Sequence, residues 1–179
     1  CFDIKIDDSV ISANSLHGQV IKFLYDNNLV SQSVLDKKIK RSLREQNISS
    51  VNISNDVKQG GKSEGNYNRY PIGSTAFVDI GNVRYHFIAL SIIENNKNAK
   101  TSDQDYLIVL NAIVDNCFRN SNGNPIYLPL IGSGLSKLNY NHQQQLEFMV
   151  KYFMLRKTRL TSDVEIVIRK EDGDTISIL

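Results

Sequence analysis

Apolar residues recur along this chain with two periods, one of three to four residues and one of two, and the alternation between them lays out the elements. From Ser15 the spacing of Leu16, Val20, Phe23 and Leu24 predicts a helix with Ser15 as its N-cap. Val34, Leu35, Ile39 and Leu43 place a second helix between Ser33 and Gln46. Ile48 to Ile53 alternates apolar with polar, the signature of a strand. Tyr70 to Ala76 leads into Phe77 and Val78, and Gly81-Asn82 supplies a turn into Val83 to Ile93. That second run is rich in β-branched and aromatic residues, and the two read as a hairpin.

The second half repeats the alternation. Ser102 with Asp105 three residues on forms a capping box, and Leu107, Leu110, Ile113, Val114 and Cys117 carry the helical period to about Phe118. Asn120 to Asn124 is a turn; Ile126 to Ile131 is a short, almost continuously apolar run, as in a buried strand. Leu146, Met149, Val150 and Phe153 mark a helix from about Asn141 to Leu155, Val164 to Ile168 alternates as a strand, and Thr175 to Leu179 follows an Asp-Gly turn as a last strand. Phe2 to Ile11 reads as loop or short extended chain, and Asn55 to Asn68, with Gly60, Gly61 and Gly65, as an exposed loop. Helices and strands interleave throughout, so the expected architecture is a single α/β domain over residues 1–179, layered α/β/α around a central mixed sheet.

Composition changes this picture little. A chain of 179 residues with 41% hydrophobic and 22% charged residues suits one soluble domain with a proper core, and no apolar run approaches a membrane span. A net charge of +2 gives no general case for a nucleic-acid binder. Lys37, Lys38, Lys40, Arg41 and Arg44 share their helix with Asp36 and Glu45 and read as a solvated face. Cys1 and Cys117 make no disulfide framework, which fits a reducing, cytosolic setting. The chain opens on Cys1-Phe2-Asp3-Ile4 without a lead-in, and is read as a piece of a longer protein.

The stretch that carries chemistry is Pro125 to Leu138, where the apolar strand empties into Gly132-Ser133-Gly134 before the helix resumes. Two glycines around a serine let main-chain N–H groups approach a ligand without a Cβ in the way, and such a loop at a strand-to-helix turn suits a phosphate or pyrophosphate. Alone it reads equally well as a tight turn with no ligand.

Three motifs in order remove much of that ambiguity: Ser15-Leu16-His17-Gly18-Gln19, Tyr70-Pro71-Ile72-Gly73-Ser74-Thr75-Ala76, and Leu128-Pro129-Leu130-Ile131-Gly132-Ser133-Gly134-Leu135. Together they resemble a macro domain, most closely the divergent branch of bacterial Thoeris antiphage effectors of the transmembrane-macro type. The resemblance implies a site for ADP-ribose or a derivative. The glycine loop, Ile131, Gly132, Ser133, Gly134 and Leu135 with Ser136 and Lys137 beyond, would wrap the pyrophosphate and distal ribose. Tyr70, Pro71, Ile72, Gly73, Ser74 and Thr75 would line the same cleft, and Ser15, Leu16, His17, Gly18 and Gln19 would form the first ligand loop, where free helix N–H groups favour an anion. Phe2 and Asp3 look like the tail of the loop that precedes it. The usual first strand, its adenine-holding aspartate and the Asn-Ala-Ala-Asn signature are not in this sequence.

No catalytic set is expected. Asp3 with His17 is conceivable as an acid/base pair, against the simpler reading of a polar loop residue and a neighbour of a helix cap. Ser133, His142 and Asp163 lack a nucleophile-elbow context. His17, His86 and His142 are too far apart in sequence to suggest a metal site, and no cofactor is expected. The resemblance therefore implies a sensor. Its ligand would be an ADP-ribose-derived signalling nucleotide, such as a histidine- or imidazole-linked ADP-ribose, made from NAD by a TIR-domain protein. Binding would activate a membrane-disrupting segment upstream, making this the cytoplasmic domain of a membrane-anchored bacterial protein, with a homo-oligomer left open. The alternatives from other classes are an ADP-ribosyl hydrolase and a reader of ADP-ribosylated protein.

Overall fold

The computed structural model describes residues 2–6, 11–54, 65–93, 99–132, 140–173 and 175–177. Helices and strands interleave as an α/β fold. The chain divides into two compact units, Cys1–Lys100 and Thr101–Leu179. Among the described residues the strands pair as four two-stranded sheets, three antiparallel and one parallel.

The first unit is built from α1 (Leu16–Asp26), α2 (Gln32–Glu45) and the hairpin β3 (Thr75–Ile80) with β4 (Val83–Ile88). Two short pairs accompany them, β1 (Val51–Asn52) with β2 (Asn68–Arg69) and β5 (Ile92–Ile93) with β6 (Ala99–Lys100). The strand expected over Ile48 to Ile53 thus shrinks to two residues, and the hairpin expected to reach Ile93 stops at Ile88. Ser15 caps α1 as expected. Both α1 and α2 end in the same way: Asn28 (φ 54°) and Asn47 (φ 55°) take the left-handed position. Leu29 and Ile48 then donate back to the carbonyls of Leu24 and Leu43.

The buried face of α1 differs from the expected one. Gly18, Ile21 and Leu24 are inside, whereas Leu16 and Phe23 are more than half exposed, at 53% and 54%. The stripe starts from His17 and Gly18, one polar and one with no side chain, and hydrophobicity alone does not mark either. On α2 the expected Leu35, Ile39 and Leu43 are buried, with Val34 outside. Ala76, Val78 and Ile80 of β3 alternate into the same core, joined by Phe87 and by Phe2 and Ile4 from the start of the chain. Helix α2 is also tied to β3 by polar contacts. Ser42 Oγ accepts the N–H of Phe77 at 2.8 Å, and Gln46 Nε2 donates to the carbonyl of Thr75 at 3.0 Å.

The second unit runs α3 (Asp103–Ala112), a π-turn (Ile113–Cys117), α4 (Phe118–Asn120), β7 (Ile126–Pro129), α5 (His142–Leu155) and β8 (Val164–Val167). The capping box of Ser102 and Asp105 is formed, and a second one joins Asn141 and Gln144 at the head of α5. The π-turn lets Ile113, Val114, Cys117 and Phe118 all face inward. Strands β7 and β8 are parallel, with Ile126 opposite Val164 and Pro129 opposite Val167, and α5 lies between them in sequence. Of the strand expected over Thr175 to Leu179, residues 175–177 form none and the last two lie outside the described residues. The amide of Gln143 takes both main-chain groups of Ser177, accepting its N–H at 2.8 Å and donating to its carbonyl at 3.1 Å.

Candidate functional site

The first unit gathers several of the expected site residues around the N-terminal turn of α1. Ser15 Oγ donates to the carbonyl of Ser12 at 2.7 Å and accepts the N–H of Gly18 at 3.0 Å. This draws α1 so close to Ser12 that a Cβ at Gly18 would lie 2.1 Å from the Ser12 oxygen. Gly18 is therefore required by packing of backbone on backbone. The N–H groups of Leu16 and His17 are left without a partner among the described residues, the arrangement from which a helix start attracts an anion.

Residues 2–4 are buried against this turn. His17 Nε2 donates to the carbonyl of Asp3 at 2.7 Å, and the Asp3 carboxylate accepts the main-chain N–H of Asn66. Tyr25 donates its hydroxyl to the carbonyl of Ile4 at 3.1 Å. The Phe2 ring meets Tyr70 with centroids 5.5 Å apart, and the imidazole of His17 stands edge-on to Phe87 at 5.8 Å. Burial lowers the His17 pKa, outweighing the bond to Asp3 and its charge, which raise it. A neutral ring donating from Nε2 leaves Nδ1 unprotonated. Phe2, Asp3, His17 and Tyr70, from three separated expectations, thus meet in one place.

The segment after Tyr70 turns at Ile72-Gly73, where Gly73 has φ 82° and Ser74 donates to Pro71 O at 3.1 Å, as a type II turn requires. Gly73 then donates to Ala89 O and Ala89 to Ser74 O, both at 2.9 Å, so these groups extend the β3–β4 ladder. Pro71 is exposed, Tyr70, Ile72 and Gly73 are half-buried, and Ser74 and Thr75 are buried. Leu16 and Gln19 face outward, Gln19 Nε2 reaching Asn14 O at 3.1 Å.

The glycine loop belongs to the second unit. Ile131 and Gly132 are buried, and Gly132 has φ 92°, a conformation that favours glycine. Ser133, Gly134, Leu135, Ser136 and Lys137 lie outside the described residues. On either side of residues 133–139, the side chain of Gln145 takes hold of the chain: its Nε2 donates to Gly132 O at 3.3 Å and to Tyr140 O at 2.9 Å. Gln145 is 1% exposed, and its Oε1 has no partner among the described residues.

Of the catalytic constellations weighed from sequence, Ser133 lies outside the described residues, and the described members are not brought together. His17 holds the main-chain oxygen of Asp3 and not its carboxylate. His142 pairs through Nδ1 with Asp172 at 3.0 Å, and Arg169 grips the same carboxylate; Asp163 instead accepts the N–H of Ile126 through its main chain. Among the described residues no three His, Cys, Asp or Glu side chains are grouped to hold a metal. Asn66 and Gln145 were not foreseen. Gln145 had one available signal, since it precedes the core residue Met149 by one helical period of four.

Comparison with known proteins gives the family. The relative Thoeris protein ThsA of Bacillus amyloliquefaciens (strain Y2) is 25% identical over 181 residues, an overlap of 98% of this chain and 57% of the relative. The chain therefore spans a little over half the length of that protein. Residues 1–169 match the family described as Thoeris protein ThsA, Macro domain, a match that runs through both compact units. The chain belongs to the ThsA macro-domain family of Thoeris defence proteins.

Proposed function

We propose that this macro domain is a sensor that binds an ADP-ribose-derived nucleotide and returns it unchanged. The observation that carries the reading is the family match over residues 1–169, which includes all three motifs. The geometry supports it in each unit separately. One offers a helix start whose Leu16 and His17 N–H groups have no partner among the described residues, the other a glycine turn with Gly132 in the left-handed region. The ligand is a conjugate of ADP-ribose, a histidine- or imidazole-linked form being the leading candidate, produced from NAD by a TIR-domain enzyme.

Sensing is favoured over hydrolysis by the state of the two best-placed titratable residues. A histidine base is commonly oriented by a carboxylate, whereas His17 bonds the main-chain oxygen of Asp3 and the Asp3 carboxylate accepts the Asn66 N–H. In the whole protein, ligand binding biases a membrane-associated effector segment toward its active arrangement, with this domain on the cytoplasmic side. Such coupling needs the ligand to bind the two states with different affinity. Among the described residues no helix is long and apolar enough to cross a membrane.

Replacing Gly134 by Val tests the loop assignment. The variant should keep its circular dichroism and thermal midpoint and lose binding of ADP-ribose derivatives. Binding equal to wild type would remove the glycine loop from the site.

A further inference from the structure

Residues 2–4 form a strap along α1. Consecutive carbonyls go to opposite ends of that helix: Asp3 O accepts from His17 in the first turn at 2.7 Å, and Ile4 O accepts from the Tyr25 hydroxyl in the last turn at 3.1 Å. The strap also reaches past α1. The Phe2 ring meets Tyr70 with centroids 5.5 Å apart, and the Asp3 carboxylate takes the main-chain N–H of Asn66. Three consecutive buried residues thus carry four anchors, spread over both ends of α1 and the stretch from Asn66 to Tyr70.

Two of the anchors belong to stretches that the nucleotide-binding reading uses: His17 to Ser15–Gln19, and Tyr70 to Tyr70–Thr75. Resting on that reading, we infer that residues 2–4 are the output element of the sensor. With the strap docked, the start of α1 and the Tyr70 segment are held together, and a ligand that contacts both binds this state more tightly than the released one. Ligand therefore shifts the strap toward its docked state, and the strap passes that shift to the chain ahead of it in the whole protein. A three-residue segment held by a few contacts opens at lower free energy than the core it rests on, which leaves an equilibrium that ligand can move.

Amide hydrogen exchange on the wild-type chain, with ADP-ribose as the probe, tests this. Saturating ligand should slow exchange at residues 3–6 about tenfold relative to the amides of the β3–β4 hairpin, a comparison that removes any general stabilisation. Ile4→Asp places a carboxylate in the core and releases the strap. It should bind ADP-ribose about tenfold more weakly, because coupling between two equilibria is reciprocal. The hairpin amides report whether that variant is folded; if they lose protection, the wild-type measurement decides alone.

Binding to wild type with unchanged relative exchange at residues 3–6 overturns the inference, as does wild-type affinity in a folded Ile4→Asp whose residues 3–6 exchange freely. Tyr25→Phe separates the inference from the reading beneath it, since it removes one anchor at the far end of α1 and needs no ligand. Suppose that wild type does not bind ADP-ribose, yet Tyr25→Phe speeds exchange about fivefold at residues 3–6 and also at Gly18 and Gln19, whose N–H groups bond Ser15. The strap is then coupled to the first turn of α1 and the ligand is wrong. Faster exchange at residues 3–6 alone, or at neither place, overturns the coupling itself.

Discussion

His17 donates from Nε2 to the main-chain oxygen of Asp3 across 2.7 Å, joining the first turn of α1 to a segment fourteen residues earlier in the chain. The bond needs a proton on Nε2, and burial favours the neutral ring over the imidazolium although the bond itself favours the charged form. Residues that the sequence suggested as ligand contacts therefore also hold the fold of the first unit together.

Acid should destabilise the first unit, because a charged ring is costly where His17 is buried. The His17 pKa is lowered, and His86 is pushed down to about 4, by burial first and by the Arg84 charge second. Above about pH 6.5 both are neutral whether folded or unfolded, and they contribute no pH dependence. As pH falls through that value the unfolded chain takes up protons that the folded chain refuses, so stability drops until the folded pKa values are reached. Thermal melts at pH 7.5 and pH 5 should show a lower midpoint in acid. His17→Gln, which keeps a donor for Asp3, should lose less; parallel losses in the two proteins would show that His17 is not buried neutral.

Gly18→Ala should destabilise the first unit although alanine is the better helix former. The added Cβ would sit 2.1 Å from Ser12 O, and relieving this by moving backbone costs about 1–3 kcal/mol. Denaturant unfolding measures it. A variant as stable as wild type would mean that the α1 entry turn is looser than described.

Ser42→Ala should cost about 1–3 kcal/mol for a similar reason. It strips the Phe77 N–H of its acceptor beneath α2, at the strand that continues from the Gly73-Ser74-Thr75 segment. Ser42→Thr, which keeps the hydroxyl, should restore part of the loss in the same unfolding experiment.

The periodic elements were readable in the sequence because each has a strong local cause. Ser15, Ser102 and Asn141 cap their helices, and Gly81 (φ 58°) closes the β3–β4 hairpin. What escaped was non-local. The burial of Phe2 to Ile4 depends on His17, Tyr25 and Tyr70, and Gln143 engages Ser177 across thirty-four residues. The three motifs named candidate residues, but Asn66 in the first unit and Gln145 in the second, each bonded to one of the candidates, have no motif of their own. A main-chain N–H given to Asp3 and an amide spanning two carbonyls leave no mark on hydrophobic periodicity.

The most direct test of the sensor assignment is calorimetric titration of the wild-type chain with ADP-ribose, its histidine and imidazole conjugates, cyclic ADP-ribose and NAD, with each ligand recovered for analysis. The expected result is saturable binding of an ADP-ribose derivative that comes back intact. Recovery of cleaved products, or no binding by any of the five, would contradict it.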